Sequence, residues 1–333
     1  MTSQKVCPVA DSGHDCLLDR LLSPDNIPRE VRMPNRINAL FVLEDTLIAY
    51  AAGDAGLLLK SEDGGALWRR LNSGVVQNLY MVYFPGQGAV GYACGDQGVV
   101  VKTEDAGSSW YRLSCGLAVD LRAVRFPISP QVGFVAGDRG TILRTADGGA
   151  TWEKLTTATE HKIMDMNFPS DELVGYAVGV SGTLLKTTTG GTNWFSLAGN
   201  VQGLTSGVNF TAVHFPAGDT VGFMTSSDGR VFFTPAAGEL WRPQNTGRPL
   251  PPLYSLDMRH DTMAGFCVGG AGTVIHTENG GEQWELLDAG VYSDFFSVRF
   301  FADGVRRIIA GDSMTLLFTL DGGNSWAPAE IVG

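Results

Sequence analysis

Residues 145–152 read TADGGATW, which puts a hydroxyl, a carboxylate, two glycines and a tryptophan within eight positions. Those groups suit a reaction as well as they suit a chain reversal, and repetition decides between the two. The frame recurs as SEDGGALW from Ser61, TEDAGSSW from Thr103, TTTGGTNW from Thr187, TENGGEQW from Thr277 and TLDGGNSW from Thr319, with a worn copy, TPAAGELW, from Thr234. The chain has seven tryptophans, and Trp68, Trp110, Trp152, Trp194, Trp241, Trp284 and Trp326 each close one copy. A period of about 42 residues with strand-like content marks a propeller array. Seven copies of one motif are not seven active sites, so the frame is structural.

One repeat, Leu121 to Leu155, shows how it folds. LRAVRF is a short strand that stops at Pro127, which has no N–H for a ladder. VGFVA is a second apolar run, GDRG is a turn whose glycine accepts positive φ, and TILRT is a β-branched third strand. DGG reverses the chain into a fourth strand, TWEKL. Four antiparallel strands of this size make one blade, and the predicted fold is an all-β, seven-bladed propeller over 37–333 with an arm at 1–36. The frame lies between the third and fourth strands and reads as the Asp-box (BNR) repeat. Asp63, Asp105, Asp147 and Asp321 accept backbone N–H groups of their own turns, while Thr189, Ala236 and Asn279 stand in the other copies.

From the apolar residue that ends the first strand to the tryptophan is 26 residues in every repeat, for example Phe126 to Trp152. All length variation falls between blades, most of it in 198–209 and the Pro-rich 242–252. Strand alternation puts these links on the face of the GDxG turns and the Asp-boxes on the opposite face. Function is expected on the variable face.

A net charge of −11 argues against a nucleic-acid backbone as partner. No apolar stretch is long enough to span a membrane, and the start lacks the layout of a signal peptide, so a cytoplasmic location is expected. Five cysteines fit a reducing compartment; Cys94 and Cys267 read as buried hydrophobes. Cys7, His14 and Cys16 are irregularly spaced for a metal, and neither metal nor cofactor is expected. In the arm, DCLLDRLL (15–22) has the spacing of a short helix.

Positions that refuse to repeat carry the functional expectation. The penultimate residue of the innermost strand runs Phe41, Tyr83, Arg125, Asn167, His214, Asp257, Arg299, and three positions earlier runs Asn38, Tyr80, Arg122, Met164, Thr211, Tyr254, Phe296. These strands surround the channel. Charged members are costly to bury alone, so they either pair between blades or form a polar funnel for a ligand or peptide. The expected partner-binding set is Tyr80, Arg122, Arg125, His214, Tyr254 and Arg299, joined by Arg139 and Arg230 in the turns of blades three and five. Asp54, Asp96, Asp138 and Asp312 in equivalent turns read as turn formers.

The blades GYACGDQGVVVKTEDAGSSW (91–110) and GFVAGDRGTILRTADGGATW (133–152) resemble the repeat of the photosystem II assembly and stability factor family over roughly residues 37–330. That resemblance implies a seven-bladed, non-enzymatic propeller that helps assemble a membrane complex by binding a partner protein. The photosynthetic members have an export signal and an arginine-rich patch. This sequence lacks the former and gathers Arg122, Arg125, Arg139 and Arg144 in blade three.

Asp-boxes also occur in sialidases and other glycoside hydrolases. A sialidase-like site needs three converging arginines, a tyrosine nucleophile and an acid, a cast that Arg122, Arg125 and Arg299 with Tyr80 or Tyr254 would have to fill. No Phe-Arg-Ile-Pro-like motif opens the first blade, and Asp165 with Asp257 is the only pair of inner-strand carboxylates. The sequence therefore points to a protein-binding or assembly-factor propeller using the variable face and the arm. The alternatives are a structural subunit of a larger assembly and a glycoside hydrolase.

Overall fold

The computed structural model describes residues 36–333 except Thr262; residues 1–35 of the arm, with the expected helix and Cys7, His14 and Cys16, lie outside the described residues. Seven sheets follow one another along the chain, each built on four antiparallel strands in sequential order. The innermost strands are Ile37–Val42, Leu79–Tyr83, Leu121–Arg125, Ile163–Asn167, Phe210–Ala217, Leu253–Met258 and Phe295–Phe300. No helix among the described residues is long and apolar enough to cross a membrane.

The constant 26-residue spacing has a packing cause. The ring that ends the first strand meets the tryptophan of its own blade edge-on, as in Phe84–Trp110, Phe168–Trp194 and Phe215–Trp241. An aromatic ring from the second strand of the preceding blade lies flat on its other side: Tyr50 on Phe84 at 3.8 Å, Tyr92 on Phe126 at 3.7 Å, Phe134 on Phe168 at 4.3 Å and Tyr176 on Phe215 at 4.0 Å. Blades one to five are thus cemented each to the next by a stack and an edge contact. Such pairs contribute about 0.5–1.5 kcal/mol beyond the area they bury.

The glycine that opens the second strand follows from the same ring. A Cβ on Gly133 would stand 2.3 Å from Phe126, and one on Gly91 would stand 2.3 Å from Phe84. Blade six keeps Gly265 against the Met258 side chain, whereas blade one ends its first strand in Val42 and has Ala49 at the glycine position. Blade seven places Arg307 there, 3% exposed, with its guanidinium over Phe266 at 4.4 Å and Phe300 at 4.7 Å.

The ring closes through the end of the chain. Glu330–Val332 adds a fifth, parallel strand outside Leu67–Leu71, pairing Ile331 with Trp68. The insertion between blades four and five does the same to its neighbour: Val201 bridges Trp241 in parallel, the Gln202 N–H donates to the Trp241 carbonyl, and the Trp241 N–H donates to the Asn200 carbonyl. Trp68 and Trp241, the two tryptophans covered in this way, are both 0% exposed. Residues 198–209, expected as a functional loop, therefore serve in part as a clamp, with Val201 and Val208 buried in the core.

In the Asp-boxes, hydroxyl and carboxylate bond each other and the turn between them. Thr145 Oγ1 donates to Asp147 Oδ1 and accepts the Gly149 N–H, while Thr151 gives Asp147 both its N–H and its hydroxyl. Asn279 reproduces the geometry without charge, Thr189 supplies a hydroxyl to the Asn193 N–H, and Ala236 leaves only its carbonyl, which accepts the Glu239 N–H.

Candidate functional site

The channel between the innermost strands is a cavity of about 400 Å³ lined by both unrepeated series. Side chains three positions apart should not share one face of a strand. A bulge reconciles them: every first strand slips register around its second residue, as between Ile163 and Asp165 or between Phe295 and Ser297. The extra residue turns into the channel, so Tyr80, Arg122, Tyr254 and their equivalents form an upper tier beside the GDxG turns. The penultimate residues form a lower tier, nearer the Asp-box face.

The upper tier combines aromatic rings with guanidinium groups. Arg122 stacks on Tyr80 at 3.7 Å and donates to Asp120 at 3.2 Å. The Tyr80 hydroxyl donates to Asp96, and burial together with that carboxylate pushes its pKa up to about 12. Arg36 lies over Phe296 at 4.2 Å and donates to Asp312 at 2.8 Å, and Tyr254 packs against Phe296 with centroids 5.2 Å apart. Two stacked cation–aromatic pairs thus frame the mouth between blades two and three and between blades seven and one. Both use side chains that stay half-exposed.

The turn aspartates correct an expectation. Their turns are closed by backbone bonds, such as the Leu57 N–H to the Asp54 carbonyl, with positive φ at Ala55, Gln97 and Arg139. The carboxylates are left to serve the site: Asp54 accepts from Asn38, Asp96 from Tyr80, Asp312 from Arg36, and Asp138 pairs with Lys162 at 3.2 Å.

In the lower tier most charge is spent on joining blades. Arg125 donates to Asp165 of blade four at 2.7 Å, and Asp165 also accepts the N–H groups of Met166 and Val213. Asn167, His214 and Asp257 each accept an N–H from the next blade, of Phe215, Met258 and Phe300 respectively. His214 Nδ1 is therefore an acceptor. Burial lowers its pKa, although Asp257, 3.5 Å away, pulls the other way. Arg299 donates to the Val298 carbonyl, and burial lowers its pKa.

The two turn arginines lie apart from the channel. Arg139 is exposed. Arg230 bonds Asp228 and the Gly203 carbonyl, so it ties the insertion to blade five rather than adding free positive charge. Arg36, Asp120 and Asp165 were not among the expected site residues. Arg36 directly precedes the first strand and Asp120 the third blade's first strand, positions at which an alignment of the repeats points at the mouth.

A sequence model described as photosynthesis system II assembly factor YCF48 matches residues 102–248. No curated protein matches the chain in sequence. Among solved structures, YCF48 bound to D1 peptide is 20% identical with a TM-score of 0.67, over 87% of this chain and 95% of that one. YCF48 from Cyanidioschyzon merolae is 18% identical with a TM-score of 0.68, over 87% and 97%. A GH74 xyloglucanase from Xanthomonas campestris is 14% identical with a TM-score of 0.71, over 90% of this chain but 55% of that one, so the chain spans about half its length. The likenesses to these structures carry the fold, and the matched family model adds the repeat: the chain is a seven-bladed Asp-box propeller resembling the photosystem II assembly and stability factor family.

Proposed function

We propose that the protein is a non-enzymatic binding propeller whose upper channel mouth holds a segment of a partner protein. The observation that carries this reading is the mouth itself, where Tyr80, Arg122, Tyr254, Phe296 and Arg36 gather half-exposed rings and stacked guanidinium groups around one opening. Aromatic residues and arginines are the side chains that anchor protein interfaces. The similar YCF48 structure that holds a D1 peptide supports a peptide-like ligand class. Within the set Tyr80, Arg122, Arg125, Arg139, His214, Arg230, Tyr254 and Arg299, we assign contact to Tyr80, Arg122 and Tyr254, with Arg139 at the rim. Arg125, His214 and Arg299 support them from the lower tier, while Arg230 holds the insertion against blade five.

The hydrolase alternative is disfavoured by the bonding of its candidates. Asp165 spends its oxygens on Arg125 and two N–H groups, and Asp257 is held by the Phe300 N–H, so neither is placed to exchange a proton with substrate. Arg122 lies in the upper tier and Arg125 and Arg299 in the lower, each already bonded. The free, buried Cys94, Cys115 and Cys267 support work in a reducing compartment.

The test is affinity purification of the tagged protein beside an Arg122→Ser, Phe296→Ser variant, with co-purifying chains quantified by mass spectrometry. A stoichiometric partner depleted at least about tenfold in the variant supports the reading. A partner retained equally by both forms overturns it.

A further inference from the structure

The opposite face carries a second surface, and we propose that the Asp-box side of blades six, seven and one docks a basic amphipathic segment of another protein. The starting observation is apolar. Of the twelve large hydrophobic side chains exposed among the described residues, seven stand in Asp-box frames or in first-to-second loops, and Leu47, Met263, Val305 and Leu320 belong to these three blades. Their exposures are 38%, 49%, 45% and 60%.

The backbone holds them outward. Asp261 accepts the Met263 N–H at 3.1 Å, and Asp303 accepts those of Val305 and Arg306 at 2.9 and 2.8 Å, so each turn fixes an aliphatic side chain two residues beyond its aspartate. The three loops also touch. A Cβ on Gly64 of blade one would lie within 4 Å of both Leu47 and Arg306, and one on Gly304 would stand 2.7 Å from the Arg259 guanidinium of blade six. Leu47, Met263 and Val305 thus stand on loops that adjoin one another, with Leu320 in the box of the middle blade of the three.

Charge identifies the occupant. The first-to-second loops (43–48, 85–90, 127–132, 169–174, 216–220, 259–264, 301–306) and the centres of the boxes (62–66, 104–108, 146–150, 188–192, 235–239, 278–282, 320–324) hold sixteen carboxylates against two arginines. Lys60, Lys102, Arg144 and Lys186, which border the boxes, leave an excess of ten, nearly the whole net charge of −11. Both loop arginines are already spent, Arg259 on Asp261 at 3.0 Å and Arg306 on Asp303 at 3.1 Å. An anionic lipid surface is repelled by such a face. A helix with an apolar stripe flanked by Lys and Arg satisfies both its features, the stripe covering the aliphatic side chains and the cations steering the encounter.

The test uses the full chain and a labelled 18-residue helical peptide of Leu and Lys with one apolar stripe, read by fluorescence anisotropy. Controls are the same composition scrambled, a Leu/Glu counterpart, and neutral phosphatidylcholine vesicles. Binding of the striped Leu/Lys peptide is expected, weakened at least about tenfold by Leu47→Ser with Met263→Ser and Val305→Ser, and by Leu320→Lys alone as a second, independent variant. Arg122→Ser, on the other face, leaves it unchanged. Equal binding of the scrambled peptide, undiminished binding by both variants, or a preference for the vesicles overturns the proposal.

Discussion

Ile331 stands in parallel register beside Trp68, so the last strand of the chain seals the tryptophan of the first blade. Without it the outer edge of blade one, Leu67–Leu71, would stand unpaired. Ile331→Ala is expected to lower stability by about 1–2 kcal/mol. Removal of residues 329–333 should also shift tryptophan emission to the red as Trp68 meets water. Chemical denaturation and fluorescence check both, and an unchanged spectrum on truncation would count against closure by this strand.

Phe126 and Gly133 form a second linked pair. Gly133→Ala drives a methyl group into the Phe126 ring and should cost about 1–3 kcal/mol. Blade one shows the remedy, with Val42 and Ala49 in those places. Adding Phe126→Val to Gly133→Ala should therefore cost less than the two single losses combined, a coupling that a double-mutant cycle measures.

His214 should make the fold sensitive to mild acid. It accepts the Met258 N–H through Nδ1 among Asp257, Asp165, Arg125 and Arg299, and burial lowers its pKa below the usual 6.5. A folded-state pKa below the unfolded value means that the stability tied to neutral His214 is full above pH 6.5 and drains as the pH falls beneath it. Asn167 makes the same bond in the preceding blade, so His214→Asn should keep the fold and flatten this part of the pH–stability curve. Urea midpoints from pH 7.5 to 5 supply the comparison.

The boxes titrate lower. Asp105, Asp147 and Asp321 are held down to about 2, chiefly by the hydroxyls of Ser109, Thr151 and Ser325 and the N–H groups of the same residues. Their contribution is complete above the ordinary value of 3.8 and disappears as the pH drops through about 2. Blade six works with Asn279, so replacing all three with Asn should leave a native fold at pH 7 and a shallower loss of stability between pH 4 and 2. A curve identical to the parent's would show that the boxes do not govern the acid limb.

The blades were legible because their determinants are local. One ring contact fixes the 26-residue distance from Phe126 to Trp152, and each turn supplies its own bonds. The two unrepeated series were visible too, but the bulge that turns both Arg122 and Arg125 into the channel was not. Long-range pairings were not legible. Val201 meets Trp241 forty residues on, and Glu330–Val332 is too short to show a period that would send it to the first blade. Likewise, nothing in LRAVR says that Asp165 of the next blade neutralises Arg125 while Arg122 stacks on Tyr80 of the previous one.

The most direct measurement places a photo-crosslinking residue at Phe296 in the upper mouth and, as a control, at Tyr111 on the outer edge of blade two, in the native cell. The expected result is one protein adduct at Phe296, mapped to a continuous segment of the partner, lost with Arg122→Ser and not formed from Tyr111. No protein adduct at Phe296, or one that forms equally from Tyr111 and survives Arg122→Ser, would contradict a partner-binding mouth.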